Sequence, residues 1–340
     1  MKAERFILAA FIGLVLTIPA FADDPTLVNV SNFARAETNM YFSRFVARGG
    51  FGKFDHNRTP TPIDKQDVVR MNRDTLYSAA VFDLDAAPVT IKLPESGKRF
   101  MSLLLINEDH YVIDTVYSPS SVTITREQAG TRYFVALVRT FVNANDPADV
   151  KVANAAQDAI KIDQAKIGTF DVPQWDPVTL KKAREALQAL FALEGLKEPR
   201  FGRKDEVEPI SWLVSTAAGW GGNPRRDAEY VPFFPKDNDG KTAYNLKVKD
   251  VPVDGFWSIT MYDSKGFMFE NEQKAYSVNN VTAKADADGT VNIQFGGAPN
   301  TAANYLPIAP GWNYIVRLYR PRKEILDGTW KFPEATVTLK

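Results

Sequence analysis

The 340-residue sequence contains no cysteine and only two histidines, His56 and His110. The first absence removes disulfides, thiol nucleophiles and thiolate metal sites, so the fold must be held by burial alone. The second leaves little for a zinc centre, because neither histidine has another at ligand spacing beside it. No metal and no cofactor are expected. Charge of one sign is lacking too: Lys plus Arg and Asp plus Glu each number 41, a formal net charge of zero. Nucleic acid and anionic membrane surfaces both require a basic field, so neither is an expected partner. Past the first residues no apolar run approaches the ~20 residues that span a bilayer.

What is present begins with a leader. The start MKAERFILAAFIGLVLTIPAFADDP carries early charges, runs apolar from Phe6 to Ile18, and brackets Phe21 with Ala20 and Ala22. This is the layout of a secretory signal peptide cleaved after Ala22, which sends the mature chain to the periplasm or the exterior. No cysteine follows the cleavage site, so a lipid anchor is not indicated.

Hydrophobic residues at 45% and charged residues at 24% describe an ordinary globular chain, long enough for about two domains. Ser31 is placed to cap a helix carrying Phe33, Met40, Tyr41 and Phe45, which Gly49 and Gly50 would end. Short strands follow: Thr75 to Leu84, Val89 to Leu93, Arg99 to Ile106, Tyr111 to Tyr117, Val122 to Thr125 and Thr131 to Phe141, with turn signals between them. Helical patterns occupy Asp149 to Lys166, Pro177 to Leu193 with Asp176 as cap and Leu180, Leu187, Leu190 and Phe191 on one face, and Val207 to Ala218. Strands resume at Tyr244 to Val248, Phe256 to Asp263, Ala275 to Val281, Val291 to Phe295, Asn313 to Tyr319 and Ala335 to Leu339. The expected architecture is mainly β with antiparallel sandwiches and a helical connector. A faint echo links Pro94-x-x-Gly97 before Phe100-Met101-Ser102 with Pro252-x-x-Gly255 before Phe256-Trp257-Ser258, hinting at tandem related modules.

Two long runs carry a resemblance that periodicity alone could not supply. VVRMNRDTLYSAAVFDLDAAPVTIKLPESGKRFMSLLLINEDHYV resembles the bacterial domain-of-unknown-function family 1254. VPVDGFWSITMYDSKGFMFENEQKAYSVNN, with GTVNIQFGG and NYLPIAPGWNYIVRLYRP, resembles its companion, domain-of-unknown-function family 1214. The resemblance implies two jelly-roll-like β-sandwich domains joined by helices, at 23–148 and 226–340 around a connector at 149–225, after removal of 1–22. It implies no established activity; hydrolase or esterase labels in the family do not follow from fold. The chain departs from the family where relatives carry His-Leu ahead of the Gly-Trp-Gly-Gly loop, having Trp212-Leu213 instead.

Catalytic signatures are sparse. There is no G-x-S-x-G and no S-x-x-K, and Ser78 and Ser102 sit inside strand patterns as packing residues. Asp237-Asn238-Asp239-Gly240 and Asp286-Ala287-Asp288-Gly289 lack the ladder of a calcium loop and read as turns. Asp74 and Asp109 each flank an apolar strand, and projecting from one end of the first sandwich they could serve as general acid and base on a glycosidic bond. The more ordinary reading is that Arg73 and Asp74 form a structural ion-pair and turn network. His110, in Glu108-Asp109-His110, could join an esterase triad or simply be a hydrogen-bonded loop histidine.

The aromatic and amide content points elsewhere, to binding of a neutral sugar by stacking and hydrogen bonding. Most strand aromatics belong to a core, which leaves the loop-placed Trp220, Asn223, Trp312, Asn313 and Tyr314, with Arg73, as ligand-contacting candidates. The Gly219–Asn223 and Gly311–Tyr314 segments are expected to line one shared cleft. Three function classes stand: a binding protein for a neutral envelope-derived molecule such as a glycan, a metal-independent glycan or ester hydrolase using Asp74, Asp109 or His110, and an assembly protein of jelly rolls, in which case a homo-oligomer is expected.

Overall fold

The computed structural model describes residues 24–66, 69–193, 198–299 and 302–338; the leader lies outside them. The first elements are α1 (Phe33–Ala47), β1 (Asp55–His56), β2 (Thr75–Asp83), β3 (Val89–Leu93), β4 (Met101–Asn107), β5 (Val112–Tyr117), β6 (Ser120–Ile124), α2 (Arg126–Ala129) and β7 (Tyr133–Phe141). Then come α3 (Pro147–Asp158), β8 (Lys161–Asp163), α4 (Pro177–Phe191) and α5 (Pro209–Ala218). The last part holds β9 (Ala228–Phe233), β10 (Tyr244–Val248), β11 (Trp257–Tyr262), β12 (Ser277–Asn279), β13 (Val291–Phe295), β14 (Asn304–Leu306), β15 (Asn313–Tyr319), α6 (Lys323–Leu326) and β16 (Thr336–Val337). The chain is mainly β, and no helix among the described residues is long and apolar enough to cross a membrane.

A five-stranded sheet in the order β1-β2-β7-β4-β5 forms the N-terminal centre. Its middle strands β4 and β7 are buried at every position, as expected of strands covered on both faces. One face packs on the three-stranded sheet β6-β3-β8 through Phe82, Val89, Ile91, Leu103, Phe134 and Val138. The other face receives α1 through Phe42, Val81, Ile106 and Leu137. Helices α1, α4 and α5 join around Phe33, Leu180, Leu187 and Val214. In the C-terminal part the sheets β12-β11-β15-β9 and β14-β13-β10-β16 close on Trp257, Ile259, Phe295, Trp312, Tyr314 and Val316.

Four differences from the sequence reading have local causes. The helix expected over Asp149 to Lys166 stops at Asp158, and Lys161–Asp163 pairs with Thr90–Lys92 as an edge strand too short to show a period. Asn32, not Ser31, occupies the α1 cap position, and its carboxamide oxygen is taken by the Asn29 N–H at 2.8 Å rather than by the helix. Asp176 does cap α4 by accepting from Thr179 N–H at 2.7 Å, but Leu190 and Phe191 lie exposed past the packed stretch. Strands β9 and β14 went unread because Glu, Pro and Asn interrupt their short apolar content.

Candidate functional site

Strand β4 runs out at Asn107, whose side chain shapes everything after it. Its Oδ1 accepts the backbone N–H groups of Asp109 and Tyr111, both at 3.0 Å, and its Nδ2 donates to the Ala129 carbonyl at 2.9 Å. The tight turn puts His110 at φ 65°, a left-handed conformation that costs a non-glycine residue energy and so needs compensating contacts. Both ring nitrogens supply them. His110 Nε2 accepts the Gly221 N–H at 2.9 Å, and Nδ1 lies 2.9 Å from Thr216 Oγ1, whose own proton goes to the Trp212 carbonyl. Nδ1 therefore carries the proton and Nε2 has its lone pair committed. Burial pushes the imidazole down to about 3. A ring with no free lone pair and no tendency to charge cannot act as a general base, so of the two readings of His110 the geometry supports the hydrogen-bonded loop histidine and not the triad member.

The same histidine anchors the glycine-rich loop. Trp220 stacks on His110 at 5.5 Å and on Tyr41 at 4.2 Å, and its Nε1 donates to Thr38 Oγ1 at 3.1 Å. At Gly222 a Cβ would sit 2.4 Å from the Phe201 ring, so glycine is required for the loop to close down on its neighbour. Asn223 is buried, accepting from Arg139 Nη1 at 3.1 Å and donating to Tyr230 at 2.8 Å.

Trp312 is elsewhere. It is fully enclosed in the C-terminal core, 5.3 Å from Phe295 and 5.5 Å from Tyr244, with Nε1 unpartnered. The shared cleft expected between the two tryptophan loops does not exist: Trp220 belongs to the face under α1 and Trp312 to the distant sandwich interior. Asn313 and Tyr314 are buried as well. Asn313 accepts from Arg70 Nη1 at 2.7 Å and donates to the Asp263 carbonyl at 2.8 Å; the Tyr314 hydroxyl accepts from Ala335 N–H, and burial pushes it up to about 12.

Asp74 and Asp109 are not neighbours either. β2 and β4 are each antiparallel to β7 and therefore parallel to one another; Asp74 precedes β2 while Asp109 follows β4. Roughly eight residues of strand separate the two levels, about 25 Å at ~3.3 Å per residue, too far for an acid–base pair. Asp109 is half-exposed and ion-paired with Arg35 at 2.6 Å. Asp74 is buried; Oδ1 accepts from Ser277 at 2.9 Å and Asn279 at 3.0 Å, and Oδ2 is unpartnered. Burial raises its pKa, with Asn279 and Arg317 opposing. Arg73 donates to the Thr61 carbonyl and lies over Tyr276 at 5.1 Å; it makes no ion pair with Asp74.

Two spaces remain. At the Asp109 end a cleft of about 340 Å³ is lined by Asp109, Tyr111, Gln128, Arg203, Lys204 and Asp205 among others. Tyr111 is backed by Trp212, the rings 4.6 Å apart and nearly parallel at 11°. Near Asp74 a recess of about 20 Å³, room for a single water, is lined by Arg73, Asp74, Tyr276 and Asn279.

Between the N-terminal five-stranded sheet and the β12-β11-β15-β9 sheet lies a polar seam that the sequence reading missed. Tyr77, Arg139 and Ser102 stand in register across β2, β7 and β4; Tyr230, Arg317 and Ser258 stand in register across β9, β15 and β11. The rings that follow cross over: Phe100 meets Phe256 at 5.2 Å and Tyr319 at 5.3 Å, and Phe141 meets Phe256 at 5.0 Å. A signal was available, since Leu-Val-Arg-Thr-Phe at 137–141 and Ile-Val-Arg-Leu-Tyr at 315–319 each set one arginine in an apolar strand.

The family described as "Protein of unknown function (DUF1254)" matches residues 51–164, and "Protein of unknown function (DUF1214)" matches residues 235–323. No curated protein matches the sequence. Among solved structures, the VPA0106 protein of Vibrio parahaemolyticus is 18% identical with a TM-score of 0.69, covering 91% of this chain and 98% of its own. An uncharacterised protein from Burkholderia cenocepacia is 14% identical with a TM-score of 0.50, covering 91% of this chain and 87% of its own. At these identities the likeness speaks to fold alone.

Proposed function

From the premise of a DUF1254 region followed by a DUF1214 region, we infer that the chain is an exported binding protein for a small polar molecule, a neutral glycan being the class that suits its lining. The accompanying organisation is a leader at 1–22, jelly-roll-like parts at 23–148 and 226–340, and a helical connector at 149–225. The single observation that carries the reading is the cleft of about 340 Å³ at the Asp109 end, a volume in the range of small-molecule sites. It sits where rigid strands β4 and β5 meet, and its wall offers a tyrosine ring held flat by Trp212 beside carboxylate, amide and guanidinium groups. Catalysis has less support, because His110 has no lone pair to offer and Asp74 is a strand length from Asp109.

Calorimetric titration of the exported protein with neutral oligosaccharides tests this. Tyr111→Ala and Asp109→Asn are each expected to weaken binding about tenfold, ~1.4 kcal/mol. A parent protein that binds none of the panel, or two variants that bind as well as the parent, overturns the reading; turnover of any member replaces it with the hydrolase.

A further inference from the structure

Arg139 and Arg317 are both more than nine-tenths buried, yet among the described residues neither forms an ion pair. Arg139 donates to Asn223 Oδ1 at 3.1 Å and the Gly221 carbonyl at 3.0 Å, and it also engages Tyr77, lying over its ring at 5.4 Å. Arg317 donates to Thr260 Oγ1 at 2.8 Å, the Arg70 carbonyl at 2.8 Å and the Tyr262 hydroxyl at 2.7 Å. A guanidinium has five N–H donors, so donors are left over on both. Two desolvated cations without a counter-charge are costly, and a protein that keeps both in register on facing sheets needs a reason.

The nearest carboxyls do not provide it. Asp74 and Asp227 are both buried, and burial raises the pKa of each, which favours the neutral acid; Asp227 is already engaged by Arg226 at 3.7 Å and by the Tyr117 hydroxyl at 2.7 Å, whereas Asp74 Oδ2 has no hydrogen-bond partner. Ser258, in register with Arg317, is also without a hydrogen-bond partner at its hydroxyl, although it lies close enough to Asp74 to lower that carboxyl somewhat. Tyr77 and Tyr230 each stand near both arginines, and each retains surface that water can touch, so water reaches some space at these two residues of the rows.

We propose that this space is a receptor for a small carboxylate, held between Arg139 and Arg317 and hydrogen-bonded by Tyr77, Tyr230 and Ser258. A carboxylate has two oxygens and about four lone-pair directions, so two guanidiniums on opposite sides can each take an edge while hydroxyls fill the remaining positions. Two rows of like composition, Tyr-Arg-Ser in each, suit that symmetric ligand. The site is independent of the cleft by Asp109, and either can fail while the other stands.

The test is a melting-temperature titration of the exported full chain with sodium acetate and sodium malonate, against sodium chloride and sodium phosphate at matched ionic strength. A saturable rise with a carboxylate, absent with chloride, is expected, and Arg139→Lys, which keeps charge but loses the fork, should shift its midpoint at least tenfold. The small change Ser258→Ala supplies the same test if the lysine variant fails to fold, with a midpoint shift of several-fold. Equal response to all four salts overturns the proposal, and so does a saturable carboxylate response unchanged in both variants. Saturation by phosphate alone overturns the carboxylate class. Tyrosinate absorbance near 295 nm at pH 7 would show a Tyr77 phenolate already neutralising the arginines, and would overturn it too.

Discussion

Trp312→Ala removes a tryptophan of the C-terminal core that has no exposed surface, with Phe295 and Tyr314 stacked on it and Tyr244 meeting it edge-on. Truncating a buried tryptophan costs about 3–5 kcal/mol through lost transfer energy and the cavity left behind. The upper part of that range applies here, because neighbouring rings held by two sheets cannot collapse into the space. A second change separates packing from polarity. The indole N–H has no acceptor, so Trp312→Phe removes an unpaired donor worth about 1–3 kcal/mol of burial cost while keeping most of the stacking area. The two effects oppose one another, and a net loss near 1 kcal/mol is expected. Urea denaturation followed by far-ultraviolet circular dichroism measures both variants against the parent. A loss below ~1 kcal/mol for Trp312→Ala, or equal losses for the two variants, would refute the placement of this ring in a rigid core and reopen it as a ligand platform.

Three further outcomes are expected. His110 stays neutral in the folded state down to about 3, whereas the unfolded chain takes up a proton below 6.5; stability must then fall as pH drops through that window, by at most ~1.4 kcal/mol per unit, and His110→Gln should flatten that part of the stability–pH profile. Asp74 is the opposite case: its raised folded pKa means that native protein holds the proton more tightly, so its stabilising effect is greatest at low pH and is lost as pH rises through the folded value. Asp74→Asn should therefore be neutral or stabilising at pH 7 by denaturant titration, and a loss above ~2 kcal/mol would contradict it. The exported protein should begin at Asp23 by intact mass, and a species keeping Met1 to Ala22 would sink the leader assignment.

The strands most legible in the sequence are those whose two faces differ or whose neighbours are uniformly apolar. Val89–Leu93, Tyr244–Val248, Val291–Phe295 and Asn313–Tyr319 fall where alternation or continuous apolar content put them. The two-residue β1 and three-residue β8 carry no period and are defined only by their partners Ser78–Ala79 and Thr90–Lys92. The tryptophan loops are hard to read for a specific reason: glycine beside tryptophan suggests an uncovered ring. Gly311 is glycine because its φ is +77° and a Cβ would lie 2.5 Å from Ser264, a backbone requirement of the turn that says nothing about the next ring. Trp312 simply points inward from the start of β15.

The polar seam shows where such reading stops and what lies beyond it. That Arg139 sits opposite Ser102 and Tyr77 is a statement of register, and register depends on which strands pair, in which direction, and where each turn ends. None of that is local. The Pro-x-x-Gly echo found in the sequence turns out to precede the two strands that carry Ser102 and Ser258, 156 residues apart in each case as are Phe100 and Phe256. The arginines opposite them are 178 apart, because the excursion between paired strands is longer in the second half. A fixed-period search fails on that difference, whereas cross-strand pairing is indifferent to it. A Tyr-Arg-Ser row thus occurs in both sheets although the connections between its strands differ in length. Insertion in a loop costs little, but a one-residue slip would turn each arginine from the seam to the apolar core. The seam is accordingly a product of register in both sheets, set by strand pairing and not by any local run of residues.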